Sequence, residues 1–368
     1  MLKLSSVIVT LLLFQLASYA QQDSRNSIEF SPQYSVGVFT ANHKLNGSVY
    51  GAEAIYHINT EQNPSPWMRG LSLKSIDIAV NYKNMRNVKI EGDNRSGIFG
   101  DSYAILAGLN IALAKVGKTE LLLAPAFGLG YAAETFFTNQ NPLIGSHINF
   151  TSRVSLKVTT PISQSTQLAA GIDVLHYSNA AFRVPNNGMN AANLSLGVIQ
   201  SLNTVKKTDN NYSVEPDYKK HSLDFGVNIG RRGVYQSKDS YFRTGLYAGY
   251  NYRPGAILGL STGIDAVYYH SVFDPNNFSQ TYQSFATSYD HWRVGAAIGP
   301  DLWMGKLALM VKYGYYLHYN SYRENNNTYW TAGMKYNMID WLALQAKIYV
   351  HKTEADYVGF GFMFSPRL

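Results

Sequence analysis

From Phe30 to its end the chain repeats one pattern, segments of about ten residues in which apolar side chains alternate with small or polar ones. Alternation with period two puts the two kinds on opposite faces of a strand. Tyr34, Val36 and Val38 share a face, as do Ile76, Ile78, Val80 and Tyr82, then Tyr103, Ile105, Ala107, Leu109 and Ile111, then Leu121, Leu123, Pro125, Phe127 and Leu129. Between them stand Gln33, Ser35, Asp77, Asn81, Asn110, Gly128 and Gly130. Nowhere past the first twenty residues is there the run of about eighteen apolar residues that a membrane-spanning helix needs. Strands with one face for lipid must close on themselves to satisfy every backbone group. The expected fold is all-β, a transmembrane antiparallel up-and-down β-barrel of about 16 strands. An eight-stranded barrel followed by a second β unit is the alternative partition.

Composition agrees. The chain has 28 Tyr and 30 Gly against 15% charged residues, a mix suited to aromatic, glycine-rich β structure. A basic start at Lys3, an apolar run from Val7 to Leu16 and the small-x-small Ser18-Tyr19-Ala20 read as a signal peptide over residues 1–20, with Gln21 the first mature residue. There is no cysteine, hence no disulfide framework, thiolate metal site or lipidated cysteine. The formal net charge of +7 fits anionic lipid headgroups. Nucleic acid is not an expected partner of an exported chain.

The connections alternate in length. Lys115 to Lys118, Pro161 to Ser165, Arg253 to Ala256, Trp303 to Lys306 and Met338 to Asp340 are short. Asn84 to Asp101, Ala133 to Pro142, Asn179 to Met189, Ser271 to Ser288 and Asn320 to Asn327 are long and polar. Outer-membrane barrels have short periplasmic turns and long external loops, so Asn179 to Met189 is expected outside and the bacterial outer membrane is the expected location. One exception, the charged, turn-rich Asn203 to Lys219, reads as a linker. The expected division is a signal peptide over 1–20, a first barrel half over 21–203 that carries the site, a periplasmic linker over 204–219 and a second barrel half over 220–368. A faint echo links Gly171-Ile172-Asp173 and Pro185-Asn186-Asn187 to Gly263-Ile264-Asp265 and Pro275-Asn276-Asn277.

Chemistry-bearing residues converge between His176 and Asn190. Leu168, Ala170, Ile172 and Val174 alternate along one strand, and His176 and Ser178 continue on that apolar face. Asn190 lies in phase with Ala192, Leu194, Leu196 and Val198 of the next strand. A hairpin through Pro185-Asn186-Asn187-Gly188 sets it across from His176 or one pair away. A serine hydroxyl becomes nucleophilic beside a base, and the base needs a third group to fix its tautomer. Ser178, His176 and Asn190 can fill those roles, with backbone N–H groups around Ser178 and Asn179, and the Asn179 amide, as oxyanion donors. The decoy Leu317-His318-Tyr319-Asn320-Ser321 puts His318 in phase with Tyr316, Gly314 and Lys312, hence towards the lumen.

His176-Tyr177-Ser178-Asn179 followed by Pro185-Asn186-Asn187-Gly188 resembles the PagL-like lipid A deacylases, the outer-membrane acyloxyacyl hydrolases. Phe127-Gly128-Leu129-Gly130-Tyr131 and Ile144-Gly145-Ser146-His147-Ile148-Asn149 also look like that family. The resemblance spans Ser27 to Leu202 and leaves the second half outside. It implies a barrel enzyme that removes an ester-linked acyl chain from lipid A in lipopolysaccharide, with the nucleophile at Ser178 and the base at His176. The family's glutamate falls on Asn190, a departure that makes the triad similar to that of outer-membrane phospholipase A. A phospholipid is therefore the alternative substrate, and no cofactor or metal is implied.

The remaining charged positions have a plainer reading. His147, Arg153, Lys157, Asp173, Asp224, Asp265, Arg243 and Lys312 point to the lumen, where barrels carry water-contacting or mutually paired charges. His351, Glu354 and Asp356 have only a loose cation-ligand spacing. Gly226 to Gly230 lacks a phosphate-loop pattern and suits a tightly curved wall. A passive porin is the rival from another class. Inward Ala104, Leu106, Gly108, Ala124, Ala126 and Ala297 argue for a filled or narrow lumen instead.

Overall fold

The computed structural model describes residues 26–40, 42–61, 64–93, 95–202, 218–272, 290–320, 327–351 and 354–366. The expected leader over 1–20, most of the linker over 204–219, and Pro275-Asn276-Asn277 lie outside these residues.

The alternating segments close as two barrels of eight strands, not as one of sixteen. The first comprises β1 (Asn26–Phe39), β2 (Val49–Asn59), β3 (Leu73–Asn84), β4 (Asp101–Val116), β5 (Thr119–Ala132), β6 (Ile148–Pro161), β7 (Thr166–Ser178) and β8 (Met189–Ser201). The second comprises β9 (His221–Gly233), β10 (Ser240–Tyr252), β11 (Leu258–Tyr269), β12 (Trp292–Met304), β13 (Leu307–His318), β14 (Thr328–Ile339), β15 (Leu342–His351) and β16 (Glu354–Phe364). All neighbours are antiparallel, and closure comes from β1 pairing with β8 and β9 pairing with β16. The two halves of the sequence echo fall on the seventh strand of one barrel and the third of the other, out of phase for a duplication.

Ile78, Val80, Ile105, Leu129, Ile172, Val174 and Leu196 are exposed on the outer face. A continuous apolar belt of this kind belongs in lipid. An eight-stranded lumen is only wide enough for side chains, and in both barrels buried charges fill it. In the first, Lys157 Nζ donates to both Glu29 oxygens at 2.9 and 2.8 Å. His57 bridges Glu29 at 3.1 Å and Asp77 at 2.8 Å, and Arg153 pairs with Glu53. In the second, Lys335 meets Asp224 at 2.7 Å and Lys347 pairs with Asp265. Asp356 is ringed by Arg232 and Arg243 at 3.5 Å and Arg293 at 3.7 Å, with His351 at 3.6 Å. Those guanidinium groups already neutralise the carboxylate, so the loose His351, Glu354 and Asp356 spacing is an ion-pair cluster. Among the described residues no group of three His, Asp or Glu is arranged to hold a metal.

Two lumen assignments change. His147 precedes β6, stacks on Tyr131 at 5.4 Å and meets the Ala132 carbonyl at 2.8 Å. His318 lies beyond a register shift between Val294 and Gly295, which breaks the alternation. Its side chain is 52% exposed and meets Asp290 at 2.9 Å instead of turning inward.

The first barrel's loop end is closed by its own apolar core of buried Met85, Val88, Ile98, Phe99, Leu143 and Ile144. At the turn end, residues 60–72 carry a short helix, α1 (Pro66–Gly70). A Cβ at Gly70 would meet Ile257 Cδ1 at 2.3 Å, so this helix abuts the β10–β11 turn of the second barrel.

Candidate active site

The β7–β8 register sets His176 opposite Asn190, the direct pairing among the two that the hairpin allows. Leu168, Ile172 and Val174 are exposed while Ala169, Asp173, Leu175 and Tyr177 are buried, so His176 and Ser178 continue the lipid-facing side. Asn190 Oδ1 lies 2.8 Å from His176 Nδ1, and Asn190 Nδ2 donates to the Phe39 carbonyl at 3.1 Å. The second bond fixes which way the amide points, since only its NH₂ can serve a carbonyl. Oδ1 therefore accepts from Nδ1–H, and the lone pair of the neutral imidazole stands on Nε2. Nε2 has no hydrogen-bond partner among the described residues. Gly188 makes room for the ring: it has φ of +66°, and a Cβ there would lie 2.9 Å from His176 Cε1.

Ser178 is not bonded to the imidazole. Its Oγ accepts from Asn186 Nδ2 at 3.0 Å and from the Ala180 N–H at 3.3 Å. Asn186 Oδ1 in turn accepts from the Asn179 N–H at 2.8 Å. The Asn179 amide donates to Ser146 Oγ at 2.9 Å, and its Oδ1 accepts from the Arg183 N–H at 3.3 Å. The backbone N–H and the amide nitrogen of Asn179 each have another partner at rest, and the side-chain donor that reaches the hydroxyl is Asn186. Sequence reasoning used Asn186 only as a turn residue. A loop carries no periodicity to say where a side chain points, and the one available signal was an asparagine that two-residue turn chemistry did not require.

The loop is held from several sides. Ile144 and Asn186 form an isolated bridge, and Asn187 N–H donates to the Leu143 carbonyl at 3.0 Å. Asn187 Nδ2 reaches the Pro142 carbonyl at 3.0 Å, while Thr40 Oγ1 donates to the Asn187 carbonyl at 3.1 Å. Ala180 and Ala181 both adopt left-handed φ, 52° and 64°, and both are buried. Each such non-glycine residue costs about 1–3 kcal/mol and persists only where surroundings over-determine it, a condition common beside reacting groups. Glu134, a carboxylate on the neighbouring β5–β6 loop, accepts from Thr138 at 3.1 Å and is not bonded to His176.

This arrangement can do acyl transfer. A serine with N–H donors on its oxygen and a base whose tautomer is fixed stand two residues apart on one lipid-facing strand face, side chains of the kind acyl transfer uses.

Two family models match. Lipid A 3-O-deacylase (PagL) covers residues 55–198, and the acyloxyacyl hydrolase C-terminal domain covers 221–367. The second match brings the half that the motif resemblance left outside into the same family. No curated protein matches. Among solved structures, Neisserial surface protein A is 12% identical with a TM-score of 0.35, covering 50% of this chain and 100% of its own. The outer-membrane enzyme PagL is 17% identical with a TM-score of 0.31, covering 46% and 97%. Omp33 of Acinetobacter baumannii is 8% identical with a TM-score of 0.16, covering 94% and 98%. The two family matches fall one on each barrel, and the chain belongs to the PagL family of lipid A deacylases, ester hydrolases of the bacterial outer membrane.

Proposed function

We propose that the protein cleaves an ester-linked acyl chain from lipid A at the outer leaflet by a Ser178, His176 and Asn190 mechanism. The observation that carries this reading is the His176–Asn190 pair, with the amide anchored on Phe39, beside Ser178 on the lipid-facing wall. Ser178 Oγ turns from Asn186 towards Nε2, gives up its proton and attacks the acyl carbonyl carbon. Asn186 Nδ2–H, freed by that turn, and the Ala180 N–H stabilise the oxyanion. Asn179 supports the oxyanion through Asn186, since its N–H holds Asn186 Oδ1. The sugar alkoxide leaves with the proton from His176, and water then releases the fatty acid from Ser178 by the same steps. The family name points to the 3-O ester. Residues 1–20 act as the export leader and 204–219 as a periplasmic linker in this reading.

The test is mass spectrometry of lipid A from cells with the wild-type chain, with Ser178→Ala, and without it. Loss of one acyl chain in the wild type alone supports the proposal. Unchanged lipid A with accumulating lysophospholipid would instead favour the phospholipase reading, for which the amide at Asn190 is the specific observation.

A further inference from the structure

We propose that the second barrel is a working part of the active site, because its first loop-end hairpin, between β9 and β10, holds the segment that follows the nucleophile. The inference rests on the reading of Ser178 as that nucleophile. Gly233 N–H donates to the Ala181 carbonyl at 2.8 Å. Val184 and Tyr235 form a parallel bridge, and Gln236 N–H donates to the Val184 carbonyl at 3.2 Å. The Arg183 guanidinium donates to the Lys238 carbonyl. Arg231 sits against two rings, 5.9 Å from the centroid of Phe182 and 5.2 Å from that of Phe242. Every residue from Ala181 to Val184 is thus touched by the second barrel.

The contact continues along the wall beside the site. Ser178 is paired across β6–β7 with Phe150, and the Phe150 ring lies 6.2 Å from Phe360 on β16. The nucleophile therefore opens onto the seam where the barrels meet. A loop with two successive left-handed alanines does not keep its shape by local preference. On one side the Leu143–Ile144 segment pins it, and on the other the hairpin of the second barrel does. Removing the second support lets Ala180 and Ala181 relax, which moves the Ala180 N–H off Ser178 Oγ and changes how Asn179 presents its N–H to Asn186. Gly233, Tyr235 and Gln236 are in this sense positioning residues, acting on Ser178 through the backbone of the loop.

Gly233 supplies the probe. A Cβ there would lie 2.9 Å from Arg183 Cα and 2.9 Å from Val184 N, backbone atoms that cannot swing aside. Gly233 is absent from the positive-φ positions, so a side chain is tolerated by its own backbone and only the loop is displaced. In the full chain purified in detergent micelles, Gly233→Val should lower kcat roughly 10- to 100-fold with KM within about threefold, the signature of misplacement by about an ångström. Modification of Ser178 by a fluorophosphonate, which needs no lipid recognition, should slow by the same factor. Heat-modifiable migration on gels checks that the barrels are folded, and Gly233→Ala replaces the valine variant if folding fails.

Since the natural chain has no cysteine, the pair Val184→Cys with Tyr235→Cys gives a second, activity-independent readout. Bridge partners lie within disulfide range, so oxidised membranes should lose labelling by a polyethylene-glycol maleimide and regain it on reduction. Wild-type rates for folded Gly233→Val, or full maleimide labelling of the oxidised pair, would overturn the proposal. If Ser178 of the wild type does not react with the phosphonate, the nucleophile assignment falls, and the cross-link alone decides whether the hairpin holds the loop.

Discussion

Replacing Asn190 by alanine tests the proposed orienting role, because that side chain is hydrogen-bonded to the imidazole and to a backbone carbonyl. The substitution deletes two hydrogen bonds, to His176 Nδ1 at 2.8 Å and to the Phe39 carbonyl at 3.1 Å. A neutral hydrogen bond contributes about 0.5–1.5 kcal/mol net, and an N–H left without a partner in a desolvated place costs about 1–3 kcal/mol. With the Nδ1 contact present in the reacting state and the imidazole free to change tautomer without it, the barrier rises by roughly 1.4–2.8 kcal/mol, or 10- to 100-fold in kcat. KM should stay within about threefold, since uniform substrate binding is untouched. The assay is initial-rate fatty-acid release from lipid A in mixed micelles, with Ser178→Ala as the floor. Asn190→Glu brings the family's carboxylate to the imidazolium, an attraction of up to about 4 kcal/mol at an effective dielectric of 20. Set against it are the desolvation of the charge and an oxygen facing the Phe39 carbonyl that now receives an N–H. It should hold or raise activity only where the carboxylate reaches Nδ1. A folded Asn190→Ala variant that hydrolyses lipid A at the wild-type rate would remove Asn190 from the site.

His176→Ala should abolish deacylation in the same assay, while His318→Ala, at an exposed strand end bonded to Asp290, should leave most of it; equal losses would undo the assignment of the base. Asn186→Ala should lower kcat by about 100-fold or more through loss of an oxyanion donor, and phosphonate labelling of Ser178 should fall with it, whereas wild-type labelling and rate would return that role to Asn179. Cysteine at Lys44, on the β1–β2 loop and almost fully exposed, should label on intact cells with an impermeant maleimide, and cysteine at Lys118 in the β4–β5 turn should label only after lysis; the reverse pattern would invert the barrel in the membrane.

Local periodicity carried the strands, their faces and the phase of the site. Leu168 to Val174 and Ala192 to Val198 are enough to bring His176 and Asn190 to one surface, and the structure pairs them directly. What periodicity cannot carry is closure. Whether β8 returns to β1 or continues into β9 depends on long-range backbone bonds, such as Phe30 with Val198 and Ile229 with Phe360, that leave no mark on the alternation of either strand. The long Asn203 to Lys219 segment was the one local sign of two barrels. A single irregularity was enough to misplace His318, because beyond the shift at Val294 and Gly295 counting by twos assigns the wrong face. Asn186 was out of reach for another reason: its position is fixed by the Ile144 bridge and by Asn179, contacts between loops with no shared period.

The filled lumens bear on the proposed place of the chemistry, on the outer wall. Among the described residues, Glu29, Lys157, His57 and Asp77 are locked together inside one barrel, and Asp265 with Lys347 and Asp356 with Arg243 are paired inside the other. A membrane enzyme with closed lumens must meet its substrate on the lipid-facing wall, and there an exposed serine on a single barrel would have only its own strands to shape the approach. A second barrel against the same wall changes that. Phe150 beside Ser178 and Phe360 across the seam form one apolar surface. Above them Arg183 and Arg231 bring two cations to the loop level. An acyl chain lying in the seam with an anionic headgroup at the loops satisfies both parts at once, the apolar area by burial and the charge by Coulomb attraction at the membrane surface. Phe360→Ala should then raise KM for lipid A more than it lowers kcat, the opposite split from that expected for Gly233→Val. An unchanged KM in a folded Phe360→Ala variant would mean that the acyl chain approaches Ser178 from the β8 side instead.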